Sequence, residues 1–312
     1  MRAIVIDRFG PDAPFRMAEL PTPEPGPGQL GLHIEAVGVN PVDWATRAGY
    51  APTAHAAGFP MVLGWEAAGT VGAVGSGVTG WSVGDPAMCF SQHLGTQIGT
   101  YAEHVVLAVE AFAPRPDGLD SLAAATLPAA GLTALQAVDA IRVSAGDRLL
   151  VMGAAGAVGG VITEIAVARG AEVIACVSAA DAEVARKLGA THVIDRRGDV
   201  VARVRELTGD GTDAAIDAAR AGTAMPAFDS VRDGGRFCTL VPISMPESAR
   251  GIVPTMVMVQ PDGAQMRELA RLASEGAVTA RVSRVLPLED AAKAHELVMA
   301  GGLAGKVVLR VG

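Results

Sequence analysis

The stretch Leu149–Gly160 reads LLVMGAAGAVGG. It continues an apolar run, Arg148–Met152, of the kind expected of a buried strand. The run enters three glycines, Gly153, Gly156 and Gly159, and a helix is expected from Gly156 to Arg169, stopped at Gly170. The spacing is G-x-x-G-x-x-G rather than G-x-G-x-x-G, with the same physical consequence. Missing side chains let the backbone approach a pyrophosphate, whose charge is met by the unpaired N–H groups of a helix N-terminus. An ordinary Gly-rich turn would contain similar residues. The strand before and the helix after supply the context that a dinucleotide-binding loop requires.

Strands and helices alternate downstream. Ala171–Val177 reads as a strand, Asp181–Leu188 as a helix stopped by Gly189, and His192–Ile194 as a short strand. Val200–Leu207 reads as a helix, Ala214–Ile216 and Arg236–Val241 as strands, and Met256–Val259 as the last strand. This rhythm implies right-handed crossovers and a parallel sheet. Upstream, Asp120–Val143 is alanine-rich and helical. Before it, Ala3–Ile6, Leu30–Val39 (broken by Gly31 and Gly38) and Tyr101–Val109 read as strands, and Pro21–Gly28 as a spacer. Met61–Gly84 places glycines between short apolar pairs, as in a strongly bent β-barrel. The tail reads as a helix at Asp262–Ser274, a strand at Val282–Leu286, a helix at Leu288–Met299 and a strand at Lys306–Val311. The expected division is 1–119 for the first part of the barrel domain, 120–260 for the dinucleotide-binding domain, and 261–312 for a segment that returns to complete the first.

Composition narrows the function. The 312 residues suit two domains at about 150 each. Half are apolar and 19% charged, which argues against disorder. With 25 Lys and Arg against 33 Asp and Glu, the net charge of -8 argues against a nucleic-acid partner. The 38 glycines and 19 prolines follow no period, so collagen and solenoid repeats are excluded. No uninterrupted apolar run reaches the roughly 18 residues of a bilayer span, and Met1–Asp7 is too short and too charged for a signal-peptide core. Three scattered cysteines, Cys89, Cys176 and Cys238, point to reduced thiols and a cytoplasmic setting.

The end of the strand after the glycine loop bears on the carrier. An NAD site usually has an acid there, bonded to the ribose 2′-OH. Here the residues are Cys176, Val177 and Ser178, with no carboxylate to repel a 2′-phosphate. Ser178 offers a hydroxyl, and Arg196 and Arg197 follow the next strand with positive charge. NADPH is therefore the expected cofactor. Against this, Ser178-Ala-Ala-Asp181 fits a helix capping box, and Asp181 could weaken phosphate binding.

Six segments resemble the medium-chain dehydrogenase/reductase superfamily, and within it the zinc-free quinone oxidoreductases. They are GVNPVDWATRAG (38–49), FPMVLGWEAAGTVGAVGSGVTGWSVGD (59–85), LPAAGLTALQAV (127–138), GAAGAVGG (153–160), LGATHVID (188–195) and GKVVL (305–309). They run in family order over nearly the whole chain. The resemblance implies an α/β protein with a GroES-like β-barrel catalytic domain, a doubly wound parallel-sheet Rossmann domain, a cleft between them, and a homodimer. Zinc-dependent members carry catalytic ligands at positions that correspond here to Asn40, Trp65 and Ala129, none of them a competent zinc ligand. Cys89, His93 and His104 are a conceivable but scattered metal set, better read as ordinary core and surface residues, so no metal is expected.

Without zinc to ionise an alcohol, the accessible reaction is hydride delivery from NADPH to a quinone or an α,β-unsaturated carbonyl on a small apolar substrate. Candidate donors to the developing oxyanion are Asn40, Tyr50 and Trp65. Asn40 also reads as a turn residue before Pro41, Tyr50 as a loop cap, and Trp65 as apolar packing. Asp43 and Glu66 match family positions where an acid is often structural. The resemblance further implies cofactor contacts at Asn40, Thr133, Gly153, Ala155, Gly156, Ala157, Val158, Ser178, Arg196, Leu240, Val241 and Lys306. Two other activities remain open from sequence. One is a dedicated biosynthetic enoyl reductase or reductive cyclase; the other is a non-catalytic NADPH-binding sensor or structural protein.

Overall fold

The computed structural model describes residues 1–50, 58–92, 98–219, 222–241 and 245–312. The chain divides into two compact units. One comprises Met1–Ala129, Gln260–Ser274 and Ala280–Gly312; the other comprises Ala130–Val259 and Glu275–Thr279.

The first unit opens with β1 (Arg2–Ile6), β2 (Arg16–Glu19) and β3 (Gln29–Val39). Gly31 and Gly38 do not break β3, contrary to expectation. The strand runs through both, and register shifts near Gly31/Leu32 and Ile34/Ala36 absorb the irregularity. Next comes α1 (Pro41–Ala48), a helix where a turn was one reading. Pro41 sits at the first helical position, where its missing N–H costs nothing. Asn40 is the N-cap, and Gly49 ends the helix at φ 82°. Short strands β4 (Met61–Val62), β5 (Glu66–Val74), β6 (Pro86–Phe90), β7 (His104–Ala108) and β8 (Phe112–Pro114) follow. Then comes α2 (Ser121–Ala124), capped by Asp120; α3 (Pro128–Ala140) follows, and from Ala130 on it belongs to the second unit. The stretch Ser121–Ala140 is long and apolar enough to cross a bilayer, but 78% of its apolar window is buried inside the protein, as in a core helix.

The second unit alternates β9 (Arg148–Met152), α4 (Ala157–Ala168), β10 (Glu172–Val177), α5 (Ala182–Lys187), β11 (His192–Asp195), α6 (Val200–Thr208), β12 (Thr212–Asp217), α7 (Ala224–Asp229), β13 (Val231–Thr239) and β14 (Thr255–Met256). All pairings among its strands are parallel, in the order β11-β10-β9-β12-β13-β14. Counted from β9, that is the 3-2-1-4-5-6 order of a doubly wound Rossmann sheet, with its switch point between β9 and β12. Strands β9, β10 and β12 are buried almost throughout, as strands covered on both faces must be. The last strand is only Thr255–Met256, not Met256–Val259.

The chain then forms α8 (Gly263–Ser274), β15 (Val282–Pro287), α9 (Ala291–Ala300) and β16 (Lys306–Arg310). Strand β16 pairs antiparallel with β3, Val308 opposite Gly38 and Leu309 opposite Val37. It thereby joins a seven-stranded sheet with β15, β3, β5, β6, β8 and β7, and a smaller sheet is built from β2, β1 and β4. Leu30, Leu32, Ile34, Phe112 and Leu309 lie in the core of this GroES-like unit.

Candidate functional site

The candidate residues form two clusters, one in each unit. In the second unit, β9 ends at Met152 and Gly153 turns the chain at φ 74°, a left-handed conformation suited to glycine. The Gly153 N–H donates to the Cys176 carbonyl, and the Gly153 carbonyl accepts from the Gly156 N–H, both at 2.9 Å. A Cβ on Gly159 would collide with that same carbonyl, so the first turn of α4 seats on the loop only because residue 159 has no side chain. Gly156 is the N-cap of α4 and supplies no capping side chain, and no acid occupies the first turn. Ala155 is buried, while Gly153, Gly156, Ala157 and Val158 are half-exposed. The loop and the N–H groups at the start of this 12-residue helix fit a pyrophosphate.

Around the loop stand the carboxyl ends of the other parallel strands, where ligands bind in open α/β sheets. Ser178 follows β10, and its hydroxyl donates to Asp181 Oδ2 at 2.6 Å. The capping-box reading of Ser178-Ala-Ala-Asp181 is corrected. Ser178 makes no side-chain cap bond to the short 3₁₀ turn Ala179–Asp181; its hydroxyl donates to the Asp181 carboxylate. Arg196 follows β11 and lies exposed, its N–H donating to the Val177 carbonyl at 2.9 Å. It shares with Met152, Asp199, Val200, Thr223 and Met225 the lining of an open cavity of about 360 Å³. Thr133 is half-buried on α3. Leu240 and Val241 lie beyond β13, which ends at Thr239 and not at Val241. The Leu240 N–H turns to the Asp217 carbonyl and the Val241 N–H to Thr239 Oγ1, both at 3.0 Å.

Sequence reasoning missed Asp217. This buried acid ends β12 beside Met152 and accepts from Thr223 Oγ1 at 2.6 Å. Burial pushes its carboxyl above the usual range, partly offset by the Thr223 hydroxyl. The available signal was an acid closing the apolar strand Ala214–Ile216.

In the first unit, Asn40, Asp43, Glu66 and Lys306 form a buried polar network. The Asn40 N–H donates to Asp43 Oδ2 at 2.7 Å, which ties the N-cap to the third residue of α1. Asn40 Nδ2 donates to Glu66 Oε1 at 2.8 Å. Glu66 Oε2 accepts the Ala129 N–H at 2.8 Å, and Oε1 also pairs with Lys306 Nζ. Glu66 is 0% exposed and Lys306 4%. Two charges so buried hold each other only because further hydrogen bonds satisfy the carboxylate. Gly38 leaves room for this arrangement, since a Cβ there would strike the Glu66 carboxylate. Lys306, expected among the cofactor contacts, is buried and pairs with Glu66 across 240 residues of chain. Trp65 is buried with its ring 5.8 Å from that of Phe90. Tyr50 is 65% exposed at the end of α1, edge-on to Trp44. Residues 51–57, which follow it, lie outside the described residues.

The donor chemistry does not fit a catalytic zinc. At the three positions stand an amide already donating to Glu66, an indole and a methyl group. Among the described residues no group of three or more His, Cys, Asp or Glu side chains is placed to hold a metal ion; His93 lies outside them. Burial pushes the Cys89 thiol up to about 12.

Residues 26–117 match the profile of an alcohol dehydrogenase GroES-like domain, and residues 188–309 that of a zinc-binding dehydrogenase. A 2-haloacrylate reductase of Burkholderia sp is 31% identical over 334 residues, 99% of this chain and 98% of its own. A quinone oxidoreductase of Pseudomonas aeruginosa is 32% identical over 307 residues, 92% of each chain. The structure of the mycobacterial protein Rv1454c complexed with NADPH aligns with a TM-score of 0.86 at 32% identity, over 99% of this chain and 100% of the other.

Proposed function

The chain is an oxidoreductase of the medium-chain dehydrogenase/reductase superfamily and belongs to its quinone oxidoreductase branch; we propose that it is a zinc-independent, NADPH-dependent reductase of quinones or α,β-unsaturated carbonyls. The observation that carries the reading is the strand–loop–helix at Met152–Ala157, in a chain whose zinc-ligand positions hold Asn40, Trp65 and Ala129. A bound nicotinamide carrier supplies the hydride. The loop residues Gly153, Ala155, Gly156, Ala157 and Val158 would hold the pyrophosphate, the cavity beside Arg196 and Thr223 would take the adenosine, and Thr133, Leu240 and Val241 would serve the nicotinamide. Asn40 is a positioning residue, since its Nδ2 donates to Glu66 Oε1 and to the Gly38 carbonyl. Trp65 is the proposed donor to the developing enolate oxygen, because an indole N–H donates and cannot accept.

The acrylate reductase and quinone oxidoreductase relatives support a small electrophilic carbonyl or quinone as substrate. A homodimer at the edge strand β14, where Val253 and Met258 are exposed, belongs to the same proposal. The test is a screen of the purified protein by NADPH absorbance at about 340 nm against quinones, enones and enoyl thioesters. Turnover with a member of these classes is expected, without loss after chelation. Stoichiometric zinc that survives chelation, or no binding of either carrier below millimolar concentrations, overturns the reading. NADPH binding with no turnover on any member favours the non-catalytic alternative.

A further inference from the structure

The expected recognition of a 2′-phosphate by Ser178 meets an obstacle in the geometry. A serine hydroxyl has one proton. That of Ser178 is donated to Asp181 Oδ2 at 2.6 Å, while the Asp181 N–H donates back to the Ser178 carbonyl at 3.0 Å and closes the turn. What the hydroxyl then offers a ligand is its lone pairs. Lone pairs suit a ribose 2′-OH, which can donate; they do not suit a phosphate dianion, which accepts. The Asp181 carboxylate adds a like charge in the same place. Opposed to it stands Arg196. Strands β10 and β11 pair in register up to Val177 opposite Asp195, so Ser178 and Arg196 are the next pair along. Arg196 is exposed and lines the cavity that Met152, Asp199 and Thr223 also line.

We infer that Asp181 is the residue that sets the choice of carrier, by holding Ser178 as an acceptor and opposing the attraction of Arg196 for a 2′-phosphate. The inference rests on the dinucleotide reading of the second unit proposed above. As the chain stands, Arg196 draws a 2′-phosphate and the Ser178–Asp181 pair resists it, so the preference for NADPH over NADH is smaller than Arg196 alone would give. Removing the charge leaves Arg196 unopposed, and removing the acceptor oxygen as well, as in Asp181→Ala, frees the Ser178 proton to point outward.

The test is isothermal titration of the full chain and of Asp181→Asn, Asp181→Ala and Arg196→Ala with NADPH and with NADH, at low and high salt. Thermal melts check that each variant is folded. Both Asp181 variants are expected to shift the NADPH-to-NADH affinity ratio toward NADPH by roughly tenfold, with a smaller shift at high salt. Arg196→Ala is expected to shift the ratio the other way. A merely structural turn would change both carriers alike and leave the ratio still. If both carriers bind every folded variant with the ratio unchanged within about twofold, Asp181 does not set the choice, while the dinucleotide reading stands. If neither carrier binds the unaltered chain, the dinucleotide reading falls and this inference falls with it. Asp181→Asn guards against a folding defect in Asp181→Ala.

Discussion

Asp43 and His295 show how two buried side chains of the first unit offset one another. Burial pushes the Asp43 carboxyl up to about 7, aided by the nearby charge of Glu66 and opposed by the Asn40 N–H and by Lys306. Burial likewise pushes the His295 imidazole down to about 3, its Nε2 lying 3.0 Å from Tyr101 Oη. In an unfolded chain the two groups titrate near 4 and near 6.5. Between those values the folded chain holds a proton on Asp43 that the unfolded chain lacks, and lacks one on His295 that the unfolded chain holds. The two differences cancel, and together they leave stability level across that window. Asp43→Asn removes one side of the balance. Stability of the variant relative to the original then falls as pH drops from about 6.5 toward about 4, by up to about 1.4 kcal/mol per pH unit. Urea unfolding of both proteins across that range measures it, and parallel pH profiles would refute it.

At the scale of elements, the junction of β9 and α4 separates folding from binding through two glycines, Gly156 in the loop and Gly159 in the first turn of the helix. A Cβ on Gly159 runs into the Gly153 carbonyl, so Gly159→Ala forces helix and loop apart. It is expected to cost about 1–3 kcal/mol of stability, as overpacking does, and to weaken NADPH binding as well. A Cβ on Gly156 meets that carbonyl at 3.2 Å, a contact that a small adjustment relieves, and Gly156 has φ -68°, which alanine adopts freely. Gly156→Ala is therefore expected to leave the melting temperature nearly unchanged and to weaken NADPH roughly tenfold, because the new methyl occupies the approach to the pyrophosphate. Calorimetry and titration on the two variants check the split; equal losses of stability would contradict it. The same loop shows why some elements were readable in advance. Strands β9 and β10 are continuous apolar runs and α4 is closed by Gly170 at φ 83°, so local sequence suffices there. Helix α1 was harder, because Asn-Pro opens a turn as readily as a helix, and only the Asp43 bond to the Asn40 N–H decides between them. Strand β2, with one half-buried residue among four, has no alternation to read.

The whole molecule is where sequence alone has least to say, because the partners are far apart along the chain. Nothing local to Gly305–Leu309 announces that Lys306 meets Glu66, or that β16 lies against β3. The resemblance gave the family order of the segments, while the pairing of their side chains came from the fold. The pairing also predicts how stability is shared. Leu309 is fully buried in β16, opposite Val37 of β3 and within the core of the first unit. Leu309→Ala is expected to cost roughly 2–5 kcal/mol. Hydrogen exchange should locate the loss. Amides of β3 and β16, some 270 residues apart, should lose protection together, because one ladder binds them. Amides of β9, β10 and β12 belong to the other unit, with its own core around Leu150, Ile174 and Phe237, and should keep theirs. Equal acceleration in both units would mean that the chain opens as a single cooperative body, and the division into two separately stabilised units would have to be given up.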